Sequence, residues 1–209
     1  MKLTLLLSVL VFLVLQWCFI RPSLEFDYHV IHLEHRTDRM NHIREMEKRI
    51  GHTINIFKAS GPVIREGFKP GEVGCYLSHM RLLDMPKKTK YSVILEDDFV
   101  VHPGFHERVQ RLLQDAGEFD ILYLGNLDGN HGERVKGDVY RVDPNKYLTG
   151  THAYVVKNDN AWKITSNLEY KKAIDLELMD LIKTKRINGL VVWPSIASQK
   201  PELVSSIRV

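Results

Sequence analysis

The stretch from Tyr91 to Val101, YSVILEDDFVV, constrains this chain most: a short apolar run stops at three consecutive acids, Glu96, Asp97 and Asp98. Its β-branched and aromatic side chains follow the breaker Pro86 and the lysines at 87, 88 and 90, which favours a strand over a helix. The stretch therefore reads as a buried strand that delivers carboxylates to its end. In an open α/β sheet, ligands bind at the carboxyl ends of parallel strands. Three like charges held together raise the electrostatic cost, and a divalent cation lowers it; carboxylate oxygens are hard ligands that suit Mg²⁺ or Mn²⁺. An acidic strand end that only caps the next helix is the alternative, and the stretch alone leaves both open.

An apolar run of 18 residues, Leu3 to Ile20, lies between Lys2 and Arg21-Pro22 and is just long enough to span a bilayer. It ends in bulky Trp17, Phe19 and Ile20 instead of a small-x-small exit, which favours an uncleaved signal anchor over a cleaved peptide. The expected organisation is an anchor and juxtamembrane segment over residues 1–24 and one domain over residues 25–209, a length that supports a full core. The flanking charges nearly balance, so they leave the topology open. A net charge of +3 with scattered Lys and Arg gives no basic stripe, and no nucleic-acid partner is expected. Cys18 and Cys75, the two cysteines, are too few for a disulfide framework and are both expected to be unpaired.

Along the domain, strand and helix patterns alternate, which predicts an α/β fold. A first strand covers residues 28–33. A helix capped by Thr37 or Asp38 follows, with Met40, Ile43, Met46 and Ile50 inward and Gly51 at its end. A strand over 54–59 and an irregular basic loop over 61–71 lead to a helix over 72–85 that is apolar on both faces and hence buried. Beyond the acids come a helix from Phe105 to Ala116, a strand over 120–124, and a Gly-rich segment over 125–137 that reads as a mobile surface loop. Residues 147–156 are strand-like, and Asn158 or Asp159 caps a further helix. A last helix over 173–185 carries Asp175 and Glu177 in its first turn. A strand over 190–193 stops at Pro194, and the tail shows no pattern.

Arg36, Asp38 and Arg39 lie between a strand end and a helix start, where a diphosphate is welcome; a surface turn with its own Arg–Asp pair is the alternative. Ser78 and His79 in a buried helix need partners, either a ligand or neighbouring backbone. His29, His32 and His35 recur every three residues, which does not converge on a strand, so they read as strand and turn histidines. Cys75 and His79 have no orienting acid or oxyanion motif to support thiol catalysis.

Six segments in order, VIHLEHRTDR (30–39), GEVGCYLSHMRLL (71–83), ILEDDFV (94–100), GTHAYVV (150–156), IDLELM (174–179) and PSIASQ (194–199), resemble glycosyltransferase family 25. That group includes bacterial lipooligosaccharide galactosyltransferases and procollagen galactosyltransferases. The resemblance implies a GT-A type fold, a Rossmann-like sheet that binds a nucleotide sugar, with Mn²⁺ or Mg²⁺ bridging the donor's diphosphate. Breaking the sugar C1–O bond places charge on the departing nucleoside diphosphate, and a divalent cation stabilises it. By this route Glu96, Asp97 and Asp98 become metal and ribose ligands, with Asp98 the direct one. Asp175 becomes the base of an inverting transfer, with Glu177 as the fallback. Arg36, Arg39, Ser78, His79 and Asp97 fall on the donor side, Gly150 and Thr151 are points of close backbone approach, and Gln199 matches a position whose role does not follow.

The implied activity is a membrane-anchored, metal-dependent, inverting transfer of a sugar, galactose first, from a UDP-sugar to a hydroxyl of a glycan or protein. The expected location is type II, with the domain in the ER or Golgi lumen of a eukaryotic host. Family members commonly continue well past PSIASQ, so the acceptor side is expected to be pared down or built by a partner. A catalytically silent glycan- or partner-binding domain of the same fold is the rival reading. A nucleotidyltransferase, which would release pyrophosphate, is the third.

Overall fold

The computed structural model describes residues 25–200. The anchor expected over residues 1–24, with Cys18, lies outside them; among the described residues no helix is long and apolar enough to cross a membrane. The first strand, β1 (Phe26–His32), leads into α1 (Thr37–Ile50) and β2 (Ile54–Lys58). Then come α2 (Pro70–Asp84), β3 (Tyr91–Glu96), β4 (Phe99–Val101) and α3 (Phe105–Asp115). The second half holds β5 (Ile121–Tyr123), β6 (Arg134–Lys136), β7 (Val139–Arg141), β8 (Ala153–Lys157), α4 (Ala161–Thr165), α5 (Ile174–Lys183), β9 (Gly189–Val192) and β10 (Ala197–Gln199).

Eight strands form one mixed sheet in the order β2-β1-β3-β8-β5-β9-β7-β6, and β4 and β10 form a separate antiparallel pair. β1 runs parallel to β2 and β3, and β5 runs parallel to β9. β8 lies between β3 and β5, antiparallel to both, with Ala153 opposite Leu95. The alternation of strands and helices is as read from the sequence, but this reversed strand is not what a plain βαβ repeat gives. Its consequence is positional: the start of β8, preceded by Gly150 and Thr151, meets the end of β3, where the three acids stand.

Strand parity sorts the core. Val93 and Leu95 of β3 pack with Ile43 and Met46 of α1 and Phe105 and Val109 of α3. Ile94, pointing the other way, packs with Tyr76 and Leu82 of α2 and Leu178 of α5. The sheet is thus covered on both faces, which explains the nearly unbroken apolar runs of its central strands. At Gly125, just past β5, a Cβ would collide with the carbonyl oxygen of Ala197 and the ring of His152, so the approach of β10 to the end of β5 requires glycine there.

Several local expectations are corrected. Helix α1 starts at Thr37 behind Arg36 as its N-cap, with no side-chain cap from Thr37 or Asp38; the Asp38 carboxylate accepts from the Arg36 guanidinium at 2.8 and 2.9 Å. Neither Asn158 nor Asp159 caps a helix; both lie in a 3-10 turn that runs into α4, whose first residue follows Asn160 without a side-chain cap. Ala197–Gln199, in the stretch after Pro194 that shows no pattern in sequence, form β10 against β4.

The segment over 125–137 is no idle loop. It contains β6, and its Asn130 is fully buried. The Asn130 side chain donates to the carbonyls of Asp143 (3.0 Å), Lys146 (3.2 Å) and Tyr147 (3.0 Å) and accepts from the Asp143 amide at 2.9 Å. One amide group therefore ties residues 130 and 143–147 together. Asn130→Ala leaves these buried backbone groups without partners, and a loss of about 2–4 kcal/mol in chemical unfolding is expected. A loss below about 0.5 kcal/mol would contradict this account of the segment.

Candidate active site

Parity also decides where the three acids go. Glu96, the last residue of β3, shares the α2 face with Ile94; its Oε1 accepts from the Thr151 hydroxyl at 2.6 Å and from His79 Nε2 at 3.2 Å. Asp97 points to the α1 face. There it is buried and accepts from Arg39, from His32 Nδ1 at 3.0 Å and from the Leu33 amide at 3.4 Å. With Oδ1 engaged by Arg39 of α1 and Oδ2 by His32 and the Leu33 amide, Asp97 ties the end of β3 to the start of α1. Arg39, expected on the donor side, is itself buried and spent largely on the acids, reaching Asp98 at 3.5 Å as well.

Asp98 stands past the strand end, 7% exposed, and its Oδ1 is buried without a hydrogen-bond partner. Burial, then the charge of Glu96, pushes its carboxyl up to about 7, against the pull of Arg39. An orphaned carboxylate oxygen beside two further acids fits a hard divalent cation, whose charge would remove that penalty. Glu96 behaves differently. Burial opposes its ionisation, but the hydrogen bonds from His79 and Thr151 and the neighbouring His79 and His152 rings outweigh this and hold its carboxyl below the ordinary range.

Two adjoining hollows open at this edge. One is lined by Arg39, Asp97 and Asp98 and by the 59–62 segment beside α2. The other is lined by Leu127, Gly150, Thr151 and Asp175. Cys75, Glu96 and Gln199 border both and so form the wall between them. Gln199 reaches this place because β10 pairs with β4, Gln199 opposite Phe99, and because the Lys200 amide donates to the Asp98 carbonyl at 2.8 Å. The sequence held no signal for this beyond the motif match.

Other expected site residues take supporting positions. The Ser78 hydroxyl donates to the Gly74 carbonyl at 2.6 Å and accepts from the Ser60 amide at 2.8 Å, which fixes the 59–62 segment against α2. Gly74 allows that contact, since a Cβ there would lie 2.7 Å from the Gly61 carbonyl oxygen. Arg36 is bound to Asp38 at 2.8 Å, the internal pair that the sequence left open, with Asp97 and Asp98 close enough to add to its positive stabilisation. His79 is wholly buried between Glu96 and the Tyr154 hydroxyl, 2.7 Å from Nδ1.

The two candidate bases separate cleanly. Asp175, half-buried at the start of α5, faces the second hollow, its Oδ2 accepting from the Gly150 amide at 3.2 Å and its Oδ1 from the Leu176 amide at 2.9 Å. Glu177 is turned away and buried. It accepts from the Tyr76 hydroxyl at 2.6 Å and from the amides of Glu169, Tyr170, Lys171 and Lys172. Burial opposes its ionisation, yet these donors hold its carboxyl below the ordinary range. Glu177 thus shapes the 169–172 loop, whereas Asp175 faces the second hollow.

The profile of glycosyltransferase family 25 (LPS biosynthesis protein) matches residues 62–179, more than half of the chain. Procollagen galactosyltransferase 1 of Danio rerio is 24% identical over 115 residues, 51% of this chain and 19% of that protein. The inactive glycosyltransferase 25 family member 3 of Mus musculus is 34% identical over 71 residues, 31% of this chain and 12% of that protein. The chain spans about a quarter or less of the length of the curated relatives it matches. Among solved structures, a glycosyltransferase involved in the glycosylation of the major capsid of PBCV-1 superposes with a TM-score of 0.50 at 11% identity, over 88% of this chain and 95% of that one. That likeness concerns the fold alone.

The raised Asp98 carboxyl gives a pH test. Its folded value, about 7, lies above the unfolded value of 3.8, so its contribution to stability is fully present below pH 3.8 and is lost as pH rises through 7. Without metal, Asp98→Asn removes that loss. The variant should match the parent near pH 4 and exceed it at pH 8 by an amount on the order of 1–3 kcal/mol in chemical unfolding with chelator present. Parallel stability curves for the two proteins would show that Asp98 carries no such strain.

Proposed function

The chain belongs to glycosyltransferase family 25, and on that premise we propose that it is a metal-dependent, inverting glycosyltransferase using a UDP-sugar. Galactose is the first sugar to test, on the strength of the zebrafish relative's name. The observation that carries the reading is the pair of hollows: one bears the orphaned Asp98 oxygen, the other bears Asp175, and a single wall separates them.

In this reading the first hollow takes the nucleoside diphosphate and the second the acceptor. Asp98, beside Glu96, would hold Mn²⁺ or Mg²⁺, which when bound offsets the negative charge of the leaving diphosphate. Arg39 and His32 keep Asp97 in place and so fix the strand end that presents Asp98. Arg36, paired with Asp38 in the turn before α1, adds positive charge to the side of the acids. Ser78 holds the 59–62 wall of the donor hollow, while His79 and Thr151 orient Glu96 towards the sugar. Gly150 gives its amide to Asp175 and keeps that carboxylate aimed into the second hollow. Asp175 takes the proton of the acceptor hydroxyl as its oxygen bonds to C1, and the C1–O electron pair leaves with UDP.

We further propose that residues 1–24 anchor the chain as a type II membrane protein with this domain in the ER or Golgi lumen. Glycan or protein hydroxyls are the acceptors to test. A catalytically silent binding domain is the second reading, favoured by one observation: a relative 34% identical over 71 residues is named inactive. UDP release separates the two. With Mn²⁺ and a panel of UDP-sugars, one donor should give metal-dependent release that Asp98→Ala abolishes. Asp175→Asn should lower transfer about 10²–10⁴-fold with less effect on UDP binding. Metal-dependent UDP binding without turnover of any donor would move the assignment to the silent domain.

A further inference from the structure

Cys75 and His79 lie one turn apart on the same face of α2, and strand parity brings Glu96 to that face. The Cys75 sulfur, a ring nitrogen of His79 and a carboxylate oxygen of Glu96 all lie within 4.8 Å of one another. Sugar transfer uses Glu96 and gives the thiol no task. In a tetrahedral zinc shell, bonds of about 2.0–2.3 Å set ligand atoms roughly 3.3–3.7 Å apart. Closing the triad on an ion therefore takes about 1 Å of movement, within reach of side-chain rotation at Cys75 and Glu96.

The surroundings are built for such a task. His79 is fully buried, and its Nδ1 is 2.7 Å from the Tyr154 hydroxyl, the outer partner that fixes a ligating imidazole. The Thr151 hydroxyl does the same for Glu96 at 2.6 Å. Cys75 and Glu96 border both hollows, so a fourth coordination position would open to the cleft.

We propose that Cys75, His79 and Glu96 form a binding site for a thiophilic divalent cation, Zn²⁺ by its donor set, separate from the oxygen-only edge at Asp98. Sulfur and imidazole ligands select zinc over Mg²⁺ and Mn²⁺, whereas carboxylate, water and phosphate oxygens at Asp98 select the harder ions. On binding, the Cys75 thiol loses its proton to solvent. As the ion binds, the ring proton of His79 passes by way of solvent from Nε2, where Glu96 accepts it, to Nδ1, where the Tyr154 oxygen accepts it, and Nε2 gives its lone pair to the ion. Glu96 exchanges the His79 N–H for the ion, and the thiolate and carboxylate together cancel the ion's double charge. An ion held there would occupy the wall between the two hollows.

The test uses the full chain in detergent micelles with Co²⁺ as the spectroscopic probe for zinc. A thiolate-to-cobalt charge-transfer band in the near ultraviolet is expected, displaced by Zn²⁺ and retained in excess Mn²⁺. It should persist in Asp98→Ala and disappear in Cys75→Ser. Cys18→Ser, which removes the chain's other cysteine, should keep the band and so assign it to Cys75 even if the Cys75 variant does not fold. A parent protein with no band, a band that survives Cys75→Ser, or one lost with Cys18→Ser or Asp98→Ala would overturn the proposal. None of these outcomes depends on sugar transfer.

Discussion

The buried contact between Arg39 and Asp97 is the constraint on which the rest of the cleft depends. Two charges removed from water are costly unless they meet each other and fill their remaining hydrogen-bonding capacity. Here His32 and the Leu33 amide complete the set around Asp97. Loss of one partner would strand a buried charge, at a cost of about 3–5 kcal/mol. The pair joins the end of β3 to the start of α1, and it leaves the next residue, Asp98, at the edge of the first hollow.

Around that fixed strand end, topology gathers the remaining groups. The antiparallel insertion of β8 brings Gly150 and Thr151 to the same edge as the carboxyl ends of β1, β3, β5 and β9. Helix α5 begins there and presents Asp175 to Gly150. The returning β10 sets Gln199 in the wall between the hollows. Residues far apart in the chain, from 39 to 199, thus meet within one cleft because one central strand runs against its neighbours. The electrostatics follow the same geometry: Glu96 is well supplied with donors and holds its charge, whereas Asp98 is left short of them.

Much of this was legible in the sequence where local pattern and final environment agree. The apolar YSVIL run is a buried strand, the helix from Pro70 is buried on both faces, and the acids stand at a strand end. What escaped were effects of the other elements. Two consecutive acids look equivalent in a string, but pleating sends Glu96 to α2 and Asp97 to α1. Glu177 shares a first turn with Asp175, yet points into the 169–172 loop. Asn130 lies in a Gly-rich stretch that reads as loose because no local pattern records its hydrogen bonds to residues 13 to 17 positions away. The three-residue strands β4 and β10 are too short to show periodicity and exist only as each other's partner.

The proposed function depends above all on the Asp98 edge binding a nucleoside diphosphate through a divalent cation. Calorimetric titration of the full chain with UDP, in Mn²⁺ and again in chelator, tests it without need of an acceptor or an intact catalytic step. One UDP per chain is expected in Mn²⁺, with binding lost in chelator and in Asp98→Asn. UDP binding of equal strength with and without metal, or unchanged by Asp98→Asn, would contradict it.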